Sequence, residues 1–154
     1  MAKSTNSSIK IICENRQAKF HYEVMDRYEA GMMLTGSEVK SLRQGGANIG
    51  DAYAMIKDNG VLLIHAHIAP YKGAGLFNHE PLRTRKLLLH KEEIKKLIGK
   101  TTEKGLSLIP LKFYFKEGKA KVELGLCKGK KSGDKRETIK RREQDRDMQR
   151  AMRR

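Results

Sequence analysis

This sequence of 154 residues is poor in cysteine, proline and aromatic side chains. It has two Cys, three Pro, no Trp and only 6% aromatic residues. Cys13 and Cys127 lie far apart and lack the Cys-x-x-Cys spacing of a zinc site, and two thiols cannot form a disulfide framework. We therefore expect both to be small buried thiols in a reducing cytoplasm.

The sequence also lacks long apolar runs and catalytic motifs. The sequence has no stretch of about 20 apolar residues, the length needed to span a bilayer. The first eight residues have no apolar segment typical of a signal peptide. We thus expect a cytoplasmic protein without a membrane partner. There is no P-loop and no His-Glu-x-x-His motif, and Asp51 and Asp58 fit ordinary turns. We expect no catalytic residues, no cofactor and no enzymatic activity such as that of a nuclease.

Positive charge is abundant and unevenly distributed. Thirty-three Lys and Arg outweigh 18 Asp and Glu, giving a net charge of +15. Residues 128–154 hold 12 Lys/Arg and 5 Asp/Glu, so this stretch alone contributes +7. Such a field favours nucleic acid as partner, because each phosphate neutralised releases counterions. We expect a disordered lead at 1–9, a nucleic-acid-binding body at 10–127, and a basic tail at 128–154 that is disordered when free.

Apolar residues in the body alternate with polar ones, which indicates half-buried strands. The first long strand starts near Phe20 and is expected to bend near Asp26 or Gly31. Asp58-Asn59-Gly60 predicts a tight hairpin turn, and Glu117-Gly118 predicts a second one. The residues expected to face the core in the strands after these turns are Leu62, Ile64, Ala66 and Ile68, then Ala120, Val122, Leu124 and Leu126.

Helical spacing appears in two segments. Ser37 is a plausible N-cap for a helix that stops at Gly45-Gly46, and a second helix is expected from Lys91 to Ile98, ended by Gly99. A mainly β fold with two to three packed helices follows, and an OB-fold-type antiparallel β-barrel fits best. The pattern alone leaves a small β-sandwich open. His65 and His67 share one face of a strand, but no third metal ligand is evident, so we expect no metal site.

Four motifs occur in one order along the chain: Tyr28–Gly31, Gly36–Arg43, Thr84–Leu89, and Gly129-Lys130-Lys131 followed by Asp134-Lys135-Arg136. Together they closely resemble the SsrA-binding protein family (small protein B), over roughly residues 10–136. The resemblance implies an OB-type barrel that binds the tRNA-like domain of transfer-messenger RNA. It also implies delivery of that RNA to stalled bacterial ribosomes for trans-translation, in which the incomplete peptide is tagged and the ribosome rescued. We expect a monomer.

The resemblance also implies that the tail binds the ribosome while the body binds the RNA. The tail would lie in the mRNA channel beside the small-subunit decoding centre, becoming helical there and mimicking a codon–anticodon element. The expected ribosome-binding residues in the tail are Lys128, Lys130, Lys131, Asp134, Lys135 and Arg136. Many relatives carry His in place of Gly133 and Trp near Gln144, so contacts made by those rings are absent here.

The RNA-binding residues expected in the body are Glu29, Lys86, Leu88, His90 and Lys121. Glu29 would accept hydrogen bonds from RNA amines or hydroxyls, Leu88 would pack on a base or sugar, and the lysines would contact phosphate. Many relatives carry Asn at His90. For Glu29 the residues alone also allow a surface ion pair with a nearby Lys, and for Leu88 a place in the core. The runner-up function is a generic OB-type or ribosomal RNA-binding protein.

Overall fold

The computed structural model of this chain describes residues 9–129 and 132–152. The expected lead at 1–9 therefore lies outside the described residues, except for Ile9. The strands are β1 (Ile9–Glu14), β2 (Tyr22–Met32), β3 (Ala47–Asn48), β4 (Tyr53–Lys57), β5 (Gly60–Ile64), β6 (His67–Ile68), β7 (Arg85–Leu88), β8 (Ser107–Lys116) and β9 (Lys119–Gly129). The helices are α1 (Ala18–His21), α2 (Gly36–Arg43), α3 (Lys91–Lys104) and α4 (Ser132–Met152), with a short 3-10 segment at Lys72–Phe77.

The strand pairings form a closed circuit. Antiparallel neighbours run β8-β4-β5-β7-β2-β9, and β9 pairs again with β8, while β1 lies on a free stretch of the β8 edge. The small strands β3 and β6 pair separately. The main apolar cluster joins residues from most of these strands and from α2 and α3, including Leu42, Leu63, Leu97 and Phe113. The fold is thus mainly β with several helices, as expected.

The long strand β2 bends where the sequence predicted. Its register against β9 shifts between Val24 and Asp26, so Met25 is an extra residue in the ladder. A bulge of this kind bends and twists a strand. Beyond it Ala30 and Met32 are buried, and Glu29 is exposed on the other face.

The first hairpin turns one residue earlier than a simple Asn-Gly turn would. Asp58 and Asn59 take φ values of 51° and 58°, and Gly60 already pairs with Lys57. The prediction that Leu62 and Ile64 face the core is therefore wrong: Val61 and Leu63 are fully buried instead. His65, at φ 62°, then interrupts the strand, which restores the predicted burial of Ala66 and Ile68.

The second hairpin is as predicted. Glu117 and Gly118 both take positive φ, and Lys116 pairs with Lys119 across the turn. On β9 the core residues Val122, Leu124 and Leu126 are buried, and Ala120 packs against them. Lys121 lies between two of these core positions and so points to the opposite face.

The helix ends differ from the sequence prediction at both helices. Thr35, not Ser37, is the N-cap of α2 and shares a capping box with Glu38, because the helix begins at Gly36. The Ser37 hydroxyl instead bonds His79 Nδ1 at 2.8 Å. Helix α3 continues through Gly99 to Lys104 and ends at Gly105 with φ 61°. A glycine inside a helix costs only about 1 kcal/mol, which packing of Leu97 in the core offsets.

The expected burial of the two thiols is confirmed for Cys127 and only partly for Cys13. Cys127 is buried with Ala18 and Ile109, and Cys13 is half-buried. Burial raises the pKa of each thiol to about 11. Among the described residues, no helix is both long enough and apolar enough to cross a membrane.

The basic tail is helical from Ser132 to Met152 in the structure. Residues 136 and 139–152 are exposed, and the Arg142 guanidinium lies 5.8 Å from the Phe20 ring centre, beside α1. The family resemblance implies a helix here only on the ribosome. Disorder of residues 128–154 in the free protein stays a prediction.

Candidate RNA-binding face

A groove of about 460 Å³ on the outer surface brings together four of the five residues predicted for the body. It is lined by Glu29, Gly31, Leu88, Leu89, His90, Glu93 and Lys121. These come from β2, from the junction of β7 with α3, and from β9. The predicted residues are thus neighbours in space although they span almost a hundred positions of the chain.

Gly31 is the point at which the three strands meet. It pairs with Leu88 on β7 and with Lys121 on β9. A Cβ atom built at Gly31 would lie 3.4 Å from Leu88 Cβ and 3.8 Å from Lys121 Nζ. Since glycine leaves this space open, the backbone of β2 forms the floor of the groove between an apolar and a cationic side chain.

The alternation along β7 decides which leucine faces outward. Leu87 is buried, whereas Leu88 is 52% exposed, so the outward direction predicted for Leu88 is confirmed. His90 is exposed at the N-cap of α3. Lys86 is also exposed on β7, two residues before Leu88, but it does not line the groove. The face therefore extends beyond the groove along the outer side of β7.

Glu29 is held by two groups from β8. One carboxylate oxygen, Oε2, accepts a hydrogen bond of 2.6 Å from the Tyr114 hydroxyl, and Lys116 Nζ lies 3.4 Å from the same oxygen. The Tyr114 hydrogen bond is the main reason that the pKa of Glu29 is below its ordinary value, with Lys116 and Lys121 adding to it. Burial and the Glu29 carboxylate raise the pKa of Tyr114. The surface ion pair that the residues alone allowed is thus present, together with a hydrogen bond from a buried tyrosine.

The tail residues are only partly described. Lys128 is exposed near the end of β9 and pairs in register with Glu23. Lys130 and Lys131 lie outside the described residues. Asp134 and Lys135 belong to α4, as do Gly133 and Gln144, and Arg136 is exposed on the same helix.

Two segments that carry the family resemblance meet inside the protein. Glu38 of α2 and Arg85 of β7 are both fully buried and form an ion pair through Glu38 Oε2 and Arg85 Nε. Arg83 reaches Glu38 Oε1 at 2.6 Å, and Arg85 also donates to the carbonyls of Ala66 and Pro81. Burial by itself would raise the pKa of Glu38, but bonds from the Thr35 amide and both arginines lower it. This network fixes the start of β7, whose other end carries Leu88.

Two residues of the face were not predicted. Glu93 comes from the first turn of α3, and Tyr114 comes from β8, where it alternates with the buried Phe113 and Phe115. Their roles depend on long-range contacts that leave no local signal. His65 and His67 are exposed, and His65 lies against the Tyr53 ring, with centres 5.7 Å apart. No group of three metal-ligating side chains occurs in the described parts of the chain.

Comparison with known proteins gives a consistent result. Residues 12–154 match the family model for SmpB protein. The SsrA-binding protein of Gloeothece citriformis is 57% identical over 150 residues, which is 97% of both chains. That of Synechocystis sp. is 56% identical over 155 residues, covering both chains completely.

A solved structure is also similar. It is described as "tmRNA-SmpB: a journey to the center of the bacterial ribosome", is 50% identical, and superposes with a TM-score of 0.66 over 78% of this chain and 85% of the other. Because the family model spans nearly the whole sequence and full-length relatives share more than half of their residues, this chain belongs to the SmpB family of SsrA-binding proteins.

Proposed function

We propose that this protein binds the tRNA-like domain of transfer-messenger RNA and delivers it to stalled ribosomes for trans-translation. The observation that carries the proposal is the groove around Gly31, where residues named from the family resemblance converge on one surface. Relatives that share more than half of their residues are named SsrA-binding proteins, and the similar solved structure is described with tmRNA and the ribosome.

The body is an OB-type barrel in this proposal. The closed circuit of six strand pairings, with β8 pairing with β9 and β4, supports a barrel over a sandwich of two separate sheets. In such barrels the outer face of the strands and the adjoining loops commonly bind nucleic acid. The groove lies on that outer face, opposite the buried residues Ala30, Leu87 and Val122.

The chemistry of the groove suits an unstacked nucleotide. Leu88 offers an exposed apolar surface for a base or sugar, and Lys121 offers a cation for a phosphate. Glu29 is an acceptor, so it would repel phosphate and select for an RNA amine or hydroxyl. His90 can stack or hydrogen-bond, and Lys86 extends the cationic surface along β7.

The tail is the ribosome-binding part. Residues 132–152 would span about 30 Å as a helix, at about 1.5 Å per residue, which is long enough to follow part of an mRNA path. Lys128, Lys130, Lys131, Lys135 and Arg136 would contact ribosomal RNA phosphates, with Asp134 beside them. The protein acts in the cytoplasm as a non-enzymatic monomer in this proposal.

The test compares binding to the tRNA-like domain with binding to an ordinary tRNA, at a low and a high salt concentration. A net charge of +15 ensures some affinity for any RNA at low salt. We expect a preference for the tRNA-like domain that survives high salt, since a shaped surface depends less on counterion release. Equal affinities that fade together with salt would favour a generic RNA-binding module instead.

A further inference from the structure

We propose that Tyr114 is a positioning residue that fixes Glu29 as an oriented hydrogen-bond acceptor for the RNA. This inference rests on the proposed function and names a residue that the family motifs quoted above do not include. Tyr114 lies on β8, two strands away from β2, with β9 between them.

Tyr114 lies on the outer face of β8, opposite the core residues Phe113 and Phe115, and the Lys112 ammonium lies 5.6 Å from the centre of its ring. Its side chain is almost entirely enclosed, with 4% of its surface exposed, yet its hydroxyl reaches the Glu29 carboxylate on the outer face. Buried tyrosine hydroxyls normally find a partner, and here that partner is Glu29 at 2.6 Å. A rigid ring anchored in the sheet therefore holds a side chain that is itself exposed.

Within residues 9–129 and 132–152, the hydrogen bonds of Glu29 leave one carboxylate oxygen available. Tyr114 and Lys116 both contact Oε2, and neither of their bonds involves Oε1. A carboxylate held through one oxygen loses rotamer freedom before the RNA arrives, so less entropy is lost on binding. An ionised carboxylate can only accept hydrogen bonds. The group that it selects is consequently an N–H or O–H donor, on a base edge or a ribose 2′-hydroxyl.

The charged groups around Glu29 affect the pH at which its carboxylate is protonated and stops accepting hydrogen bonds. Lys116 of β8 and Lys121 of β9 face it as cations, and Glu123, directly opposite it on β9, is engaged by Arg27 and Lys112. His90 and Glu93 line the same groove. Removing the Tyr114 hydroxyl takes away the main contact that keeps the pKa of Glu29 low. The carboxyl group would then protonate, and lose its acceptor role, at a higher pH than in the wild type.

The experiment measures the affinity of the full-length protein for the tRNA-like domain of transfer-messenger RNA, from about pH 7 down to about pH 4. The variants are Tyr114→Phe, Glu29→Ala and the double variant. Tyr28→Phe is the matched control, because its hydroxyl also donates to a carboxylate of β2, that of Asp26 at 3.1 Å, but outside the groove. The melting temperature of each variant is measured and must equal that of the wild type.

We expect Tyr114→Phe to weaken binding on the order of tenfold, because a Glu29 that is no longer oriented would lose about one charge-assisted hydrogen bond to the RNA. Its loss of affinity on acidification should begin at higher pH than in the wild type, and Tyr28→Phe should change neither property. In the Glu29→Ala background, Tyr114→Phe should have no further effect. A purely structural role would give a loss that persists in that background and leaves the pH dependence unmoved.

The experiment distinguishes a failure of the proposed function from a failure of the positioning role of Tyr114. If the wild type shows no preference for the tRNA-like domain over tRNA at high salt, the proposed function fails and the positioning role fails with it. If the preference holds but Glu29→Ala binds normally, the carboxylate is not a contact and the positioning role is overturned. If Glu29→Ala weakens binding and Tyr114→Phe does not, only the role of Tyr114 is overturned.

Discussion

The buried ion pair between Glu38 and Arg85 should be among the most sensitive points of the fold. The change Arg85→Met keeps much of the side-chain volume but leaves the Glu38 carboxylate inside the protein with a single cation, Arg83. Both members of the pair are fully buried, so water cannot replace the lost guanidinium. The Ala66 carbonyl also loses the Arg85 donor, whereas the Pro81 carbonyl keeps its hydrogen bond from the Ile68 amide.

Breaking a buried pair by removing one partner costs about 3–5 kcal/mol. That is a large part of the roughly 5–15 kcal/mol that stabilises a typical domain. With a urea dependence of about 1–3 kcal/mol per molar, the unfolding midpoint should fall by roughly 2 M. Equilibrium unfolding in urea, followed by circular dichroism, measures this shift.

Lys86→Met is the matched control, because Lys86 is the next residue of β7 and is exposed. It should change the free energy of unfolding by no more than about 0.5 kcal/mol. The double variant Glu38→Gln/Arg85→Met removes both charges and retains an acceptor for the Thr35 amide. It should therefore be less destabilised than the sum of the single variants. A loss below about 1 kcal/mol in Arg85→Met would refute the reasoning, since that is the scale of an exposed pair.

Acid should act on the same network. The pKa of Glu38 is lowered in the folded protein, so its contribution is complete above its unfolded pKa and is lost as pH falls through the folded value. The wild-type free energy of unfolding should accordingly fall below about pH 5, towards the ordinary carboxyl range. In Arg85→Met this fall should be shallower, because Glu38 has lost a partner that favours its charge. An equally steep fall in both proteins would assign the acid sensitivity to other carboxylates.

Three further changes test the face, the tail and a turn. Leu88→Asp should weaken binding to the tRNA-like domain at least tenfold in a filter-binding assay while leaving the melting temperature unchanged, because the side chain is half exposed; unchanged affinity would contradict the face assignment. Deleting residues 130–154 should leave that affinity nearly intact but abolish peptide tagging in a reconstituted translation reaction; a deletion variant that still tags would rule out the tail as a decoding mimic. Glu117→Gly should raise the free energy of unfolding by about 0.5–1 kcal/mol, because a non-glycine residue at φ 52° is strained. The entropy cost of glycine offsets only part of the relieved strain. A loss of stability would mean that the Glu117 side chain stabilises the protein by more than its backbone strain costs.

The sequence predicted the parts of the fold that have a local cause. The turns near Asp58-Asn59-Gly60 and at Glu117-Gly118 and the bend near Asp26 follow from residue type and period two. The residues alone left two directions open for Leu88, and the family resemblance favoured the outward one. The error at Leu62 and Ile64 arose from a single residue, because Gly60 belongs to the strand and not to the turn. A shift by one residue exchanges the two faces of a strand, and nothing in the local pattern distinguished the two registers.

The groove could be predicted only in part, for a physical reason. Leu88 and Lys121 pair with Gly31 across the sheet, and Glu29 lies two residues from Gly31 on the same face of β2. These pairings are set by the whole chain. Tyr114 alternates with the core residues Phe113 and Phe115, but this alternation does not show which residue its hydroxyl will meet. Its hydroxyl gains a role only because β8 lies two strands from β2. Long-range geometry of this kind has no signature in composition or spacing.

The pairing of β1 with β8 has a consequence for the order in which the chain can fold. Ile9 is in register with Lys116, so the two strands are separated by about a hundred residues of chain. Such distant pairing is slow, because loop-closure entropy is lost before any contact forms. During synthesis β1 cannot pair with β8 until nearly all of the body has left the ribosome. Until then the backbone of Ile9 and Ile11 remains without its neighbouring strand, so β1 is added to the edge of β8 late in folding.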